Sequence, residues 1–221
     1  VLLNTIIFDL DGTLVDTSGD IIDCLKKAYQ KCKISLRDAA ITRSFIGPPL
    51  TEMIKSATPH ISEGETSAVV REFRRCYDRG DYRRTKLYDG VRELLINLLD
   101  AGVRLFLVTN KPRVPTGKIL KILDMNFFRD VVTPDVQTGH AYDKTEMVYF
   151  LIRKWGLLKA FTAIVGDSPS DVLAAHSNGI VAISVLSGYG DPGELRASKP
   201  HYILDKTTDL YNFIENQRGQ R

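Results

Sequence analysis

Short apolar runs rich in β-branched residues recur along this chain with helical patterns between them, and that alternation restricts the fold more than any other feature. The runs are Thr5 to Phe8, Arg104 to Val108, Val131 to Thr133, Ala163 to Val165 and Val181 to Val185. Helical stretches such as Val91 to Ala101, closed by Gly102, and Thr145 to Trp155, closed by Gly156, lie between them. This is the pattern of a parallel sheet with crossover helices.

From Ser18 to Arg84 the pattern changes. Long amphipathic stretches fill the segment, and no convincing strand intervenes between the first run and the one at Arg104, which predicts a helical insertion. Inside it, Phe45-Ile46-Gly47-Pro48-Pro49-Leu50 carries one glycine and two prolines that break helix and make a rigid loop. The expected fold class is therefore α/β, a Rossmann-like parallel sheet core with an inserted α-helical unit. The 221 residues suit one large domain, or one of about 150 residues with a smaller insertion.

Composition excludes more than it selects. At 43% hydrophobic and 26% charged the chain has the balance of an ordinary globular protein. A formal charge of +3 is mildly basic. Much of the excess sits in Arg71, Arg74, Arg75, Arg79, Arg83, Arg84 and Lys86, but Glu72, Asp78 and Asp81 interrupt them and no stacking-aromatic or recognition-helix pattern accompanies them. A solvated helix face is expected, not a nucleic-acid surface. Attraction of a small anionic substrate is the intermediate reading. Three cysteines, Cys24, Cys32 and Cys76, are odd in number and lack C-x-x-C spacing, so neither a disulfide framework nor a zinc site is indicated and a reducing cytoplasm fits. The segment Val1 to Leu10 lacks the marks of a signal peptide, and no run reaches membrane-spanning length.

The polar residues that follow the runs carry the chemistry. Asp9-Leu10-Asp11-Gly12-Thr13 sets two carboxylates at the carboxyl edge of the sheet, where open α/β folds bind ligands. Side chains alternate along a strand, so Asp9 and Asp11 share a face and call for a cation or a shared proton. Magnesium is the natural counter-charge. Thr109-Asn110-Lys111 offers a hydroxyl and backbone N–H groups to an anionic oxygen, although a threonine at a strand end also follows from β-propensity alone. Gly166-Asp167-Ser168-Pro169-Ser170-Asp171 brings two more carboxylates, one of which is explained by capping the next helix. In Asp143-Lys144-Thr145-Glu146 a lysine stands at a helix start, the wrong sign for helix stability. It is either a surface residue or an inward neutraliser of phosphate and carboxylates.

In this order the four segments resemble those of the haloacid dehalogenase-like hydrolases, and within them the phosphoglycolate-phosphatase-like branch with a helical cap. The resemblance covers essentially the whole chain. It implies that Asp9 is a nucleophile forming an aspartyl-phosphate, that Asp11 is the acid and base, and that Thr109, Asn110 and Lys144 bind the phosphoryl group. It also implies that Asp9, the main-chain carbonyl of Asp11 and Asp167 hold Mg2+. Asp171 would support Lys144 and the metal-bound waters, with Ser168 beside it, and Gly12 and Thr13 would shape the turn. An acid at position 11 favours phosphate-ester hydrolysis over carbon-halogen or phosphonate cleavage. Where many members have Lys-Pro, this chain has Lys144-Thr145; Lys111 is the rival to Lys144 and is expected to line the entrance.

The implied domains are a core of residues 1–16 and 85–221 and a cap of 17–84. Specificity would reside in the cap, with Gly47 in its loop and Arg43 as a clamp for a substrate carboxylate. Gly188-Tyr189-Gly190 reads as a turn. The expected partner is a small phosphorylated metabolite, not nucleic acid or membrane, with the protein a monomer or homodimer. The alternatives are a 5'-nucleotidase, pyrophosphatase or phosphomutase of the same family, or an inactive fold that binds a partner through its cap.

Overall fold

The fold follows from the alternation along the first strand: Ile6 and Phe8 enter one apolar cluster, while Ile7 between them enters another. A strand buried on both faces must sit inside a sheet covered by helices on both sides. The computed structural model describes residues 3–36, 41–136 and 141–219. Along them run β1 (Thr5–Phe8), β2 (Val15–Asp16), α1 (Ser18–Cys32), α2 (Leu50–Ala57), α3 (Glu63–Tyr77), β3 (Lys86–Leu87), α4 (Val91–Asp100), β4 (Arg104–Val108) and α5 (Arg113–Ile122). Then follow β5 (Val131–Val132), α6 (Lys144–Trp155), β6 (Thr162–Gly166), α7 (Pro169–Asn178), β7 (Val181–Val185), α8 (Pro192–Ala197), β8 (Tyr202–Leu204) and α9 (Leu210–Gly219).

Six of the described strands form one parallel sheet in the order β5-β4-β1-β6-β7-β8. The order reverses at β1, whose neighbours β4 and β6 are reached by crossovers in opposite directions. Such a switch point leaves a crevice at the carboxyl ends of the strands. One face is covered by Met147, Val148 and Leu151 of α6 and Val172, Ala174 and Ala175 of α7. The other is covered by Val91, Leu94, Leu95 and Leu98 of α4 and Leu210 and Ile214 of α9, in a cluster that continues into α1, α2 and α3.

The five expected runs are all strands, and the fold class is as anticipated. Two differences have local causes. The stretch without strands contains β2 and β3, an antiparallel pair that joins Val15 to Leu87 and Asp16 to Lys86. Two residues are too few for any alternation to register, and pairing across 71 intervening positions leaves no local trace. β8 was also not anticipated; its three residues are only half-buried at the sheet edge.

The expectation of no disulfide is corrected. Cys24 on α1 and Cys76 on α3 are joined, their Cα atoms 5.6 Å apart. The pairing arises because α1 and α3 pack along one another, a tertiary contact that cysteine spacing does not encode; Cys32 stays free. It also removes the cysteine argument for a reducing compartment. No helix among the described residues is long and apolar enough to cross a membrane.

Within the insertion Tyr29 binds α1 to the end of α2, its hydroxyl donating to the Ile54 carbonyl at 3.2 Å. Residues 46–49 are a loop as expected, between a single 3-10 turn at Arg43–Phe45 and α2, which starts at Leu50. The basic residues of this region are largely solvated and paired: Arg75 with Glu72, Arg83 with Asp81 and Arg84 with Asp23.

Candidate active site

β4, β1 and β6 lie side by side with Phe8 in register with Leu107 and Val165, so their polar successors Thr109, Asp9 and Asp167 emerge together at one edge. All three are buried, Asp9 at 6%, Asp167 at 3% and Thr109 at 1% exposure. The crossovers supply the rest. Asp143 accepts from Glu146 N and Glu146 accepts from Asp143 N, a capping box that starts α6 and turns Lys144 inward. Lys144 Nζ then lies 3.0 Å from Asp9 Oδ1 and 2.7 Å from Asp171 Oδ1. Its burial against these carboxylates excludes the surface reading of Lys144.

Asp171 serves two purposes at once. Its Oδ2 accepts from Ser168 N at 3.1 Å and Ser168 Oγ at 2.7 Å, stabilising the start of α7, while Oδ1 receives Lys144. Asp167 is held as firmly: Thr13 Oγ1 donates to Oδ1 at 2.9 Å and Tyr189 N donates to Oδ2 at 2.6 Å. Gly12 has φ +82°, and a Cβ there would lie 2.1 Å from Asp167 Oδ2. Only glycine satisfies both the backbone and the contact. A Cβ on Gly188 would strike the Asp167 side chain in the same way, at 2.2 Å.

Ligand oxygens of Asp9, Asp167 and Asp171 lie within 4.8 Å of one another. Burial pushes the Asp9 carboxyl well above the usual carboxylate range; Lys144 opposes this, and Asp171, Asp167 and Asp11 add repulsion. Asp167 is pushed up to about 6, by burial first and by Asp171 second, against the donors Tyr189 N and Thr13 and the charge of Lys144. Burial works against the charge on Lys144, yet Asp171 and Asp9 outweigh it and raise its pKa. One ammonium thus faces three buried carboxylates. The surplus negative charge and the all-oxygen donor set fit a hard divalent cation.

The Asp11 carboxylate stands apart from this group. Its Oδ1 accepts from Thr17 Oγ1 at 2.6 Å, and its Oδ2 lies 3.2 Å from Lys111 Nζ. Lys111, expected at the entrance, lines the cavity and is buried there. Its Nζ donates to the Tyr77 hydroxyl at 2.7 Å and lies over the Tyr77 ring, so a carboxylate and an aromatic face draw it inward. Arg43 is placed elsewhere than expected: it pairs with Asp16 at 3.4 Å, donates to the Tyr88 hydroxyl and covers the Tyr189 ring, beside the β2–β3 pair. Gly47, Asn110 and Ser168 line the cavity together with Asp9, Thr109 and Lys144.

Two participants are not singled out in the sequence, Thr17 and Tyr77, and a third, Tyr189, has no role there beyond a turn. Tyr189 belongs to a segment that reads as a turn, yet its hydroxyl accepts from Thr17 N at 2.7 Å and Ser18 N at 3.1 Å, and donates to Asp16 Oδ1 at 3.1 Å. The doublet of glycines around a tyrosine was the available signal, since two glycines closing on one aromatic residue leave room for a buried neighbour.

The chain is similar to known proteins along most of its length. The chain is 31% identical over 201 residues to a 5'-nucleotidase of Pseudomonas aeruginosa, covering 90% of each, and 27% identical over 215 residues to a phosphoglycolate phosphatase of Nitrosococcus oceani, covering 95% of each. The crystal structure of a predicted phosphatase from Clostridium acetobutylicum superposes with a TM-score of 0.87 at 26% identity, over 98% of this chain and 100% of that one. The model of the haloacid dehalogenase-like hydrolases matches residues 6–185, which include the carboxyl ends of β1, β4 and β6, and the chain belongs to that family.

Proposed function

We propose that this protein is a magnesium-dependent phosphatase that hydrolyses small phosphomonoesters through an aspartyl-phosphate on Asp9. The observation that carries the reading is Lys144 bridging Asp9 and Asp171 beside Asp167, a buried charge cluster with an open face toward a cavity. Asp9, Asp167 and the main chain of Asp11 would hold the magnesium ion, which supplies charge neutralisation for the carboxylates and for the oxygens of a bound phosphoryl group.

Asp9 attacks phosphorus while Thr109, Asn110 and Lys144 hold the phosphoryl oxygens. The ester bond breaks and the leaving oxygen takes a proton from Asp11. Water then attacks the aspartyl-phosphate, gives its proton to Asp11 and releases phosphate from a restored Asp9. Thr17 and Lys111 keep the Asp11 carboxylate aimed between cap and core. Residues 17–84 act as the cap over residues 1–16 and 85–221, and its closure excludes water from the phosphoenzyme.

A phosphoglycolate-phosphatase-like substrate is the first reading, and the 5'-nucleotidase among the relatives keeps a nucleoside monophosphate as the second. The test is phosphate release from an aryl phosphate with and without magnesium. Release should require the ion, and Asp9→Asn should lower kcat by at least about 10⁴-fold, as loss of a covalent nucleophile does. Full activity of Asp9→Asn would refute the mechanism.

A further inference from the structure

The loop at residues 46–49 divides the space in front of Asp167 and Asn110 into two. On one side is a chamber of about 90 Å³ between the strand ends and the insertion, walled by Ile21, Met53 and Phe73 and bearing Arg74. On the other is a cleft of about 550 Å³ whose outer wall carries Glu52, Asp191 and Glu194, all exposed. A leaving group extending from a phosphoryl group at Asp9 has these two directions open to it, and they differ in both size and charge.

Arg74 is distinct among the basic residues of the insertion. Arg75, Arg83 and Arg84 pair with surface carboxylates, and Lys111 pairs with Asp11. Arg74 is half-buried, lines the chamber and has no ion pair among the described residues. Its place on the wall is set by α3, whose Phe73 and Tyr77 rings stack at 5.2 Å and put their shared face toward the core. The other cations that line the chamber, Lys111 and Lys144, are held by Asp11 and by Asp9 and Asp171, so among the described residues Arg74 is the lining cation with no carboxylate partner, and a guanidinium is suited to a planar anion.

Resting on the phosphatase reading, we propose that Arg74 is the specificity-determining residue and that the substrate is a compact phosphomonoester with a second anionic group, a carboxylate, only a few atoms from the phosphate. The chamber is well below the several hundred Å³ of drug-sized ligand sites, so it admits a leaving group of a few heavy atoms and not a nucleoside. The acidic cleft repels a second anion, and an anionic leaving group is thereby sent toward Arg74.

The experiment compares kcat/KM for phosphoglycolate and for ethyl phosphate, which lacks the carboxylate, in the wild type, Arg74→Ala, Arg74→Gln and Arg74→Lys. The wild type should prefer phosphoglycolate at least about tenfold. Arg74→Ala and Arg74→Gln should each reduce that preference about 10- to 100-fold, the range for a lost charged hydrogen bond, and Arg74→Lys should retain part of it. Preference surviving in both uncharged variants, or absent from the wild type, overturns the assignment. Magnesium-dependent release from aryl phosphate, measured in parallel, separates this outcome from failure of the phosphatase reading, in which no ester would be hydrolysed.

Discussion

At the scale of single residues, the site is built as much by absence of side chain as by charge. Gly12 and Gly188 leave room for Asp167, and each position is intolerant for a steric reason that does not involve the reaction. Gly12→Ala adds a methyl at 2.1 Å from Asp167 Oδ2 on a backbone with φ +82°. Asp167 must shift, and Thr13 Oγ1 loses its acceptor. The expected result is a 10- to 100-fold rise in the magnesium concentration for half-maximal activity, the usual scale for disturbing the support of a ligand. Titration of activity against magnesium reads it directly; an unchanged midpoint would show that Asp167 does not need this cradle. These residues were partly legible. Asp9, Asp11, Lys144, Asp167 and Asp171 follow apolar runs or open a helix, where local pattern and position coincide. Thr17, Tyr77 and the true place of Lys111 were not, because each acts across a distance that no local pattern records: 34 residues from Lys111 to Tyr77 and 172 from Thr17 to Tyr189.

At the scale of elements, the join between α1 and the core is a hydrogen-bonded knot around one phenol. The first turn of a helix has unpaired N–H groups, and the side chain of Thr17 is committed to Asp11 instead of capping them. The Tyr189 hydroxyl accepts from Thr17 N and Ser18 N in its place. Burial drives the phenol pKa upward, with the Asp11 charge second, so it stays protonated and can also donate to Asp16. Tyr189→Phe removes the acceptor while keeping the main-chain donor to Asp167. The expected cost is about 1 to 3 kcal/mol of stability, from leaving a buried backbone donor unsatisfied. Urea unfolding measures it, and an unchanged midpoint would mean that water replaces the hydroxyl. The same contrast explains which elements were readable. β1, β4, β6 and β7 have four or five apolar residues each, whereas β2 and β3 have two and owe their pairing to the position of the insertion.

At the scale of the molecule, the insertion and the sheet are stabilised by different means. The sheet is buried under helices on both faces, while α1 and α3 are also tied by Cys24–Cys76, a covalent loop of 52 residues that lies wholly within the insertion. Reduction should therefore cost about 2 to 4 kcal/mol and loosen the insertion first, leaving the sheet's transition nearly in place. Thermal unfolding with and without reductant, followed in parallel by activity, tests this; a single transition that does not move would refute it. The α/β class and the helical character of the insertion were plain from periodicity. The disulfide was not, since three cysteines define no pairing and α1 meets α3 only after the insertion has folded.

The side-by-side placement of β4, β1 and β6 has a consequence for how the protein comes into being. Thr13 and Asp167, which share a hydrogen bond, are 154 residues apart, and Thr207 reaches back 194 residues to the Thr13 carbonyl. The segments that carry Asp167 and Thr207 must both have left the ribosome before Thr13 can meet them, so the site cannot form from a local nucleus and its pieces come together only once these distant segments pair.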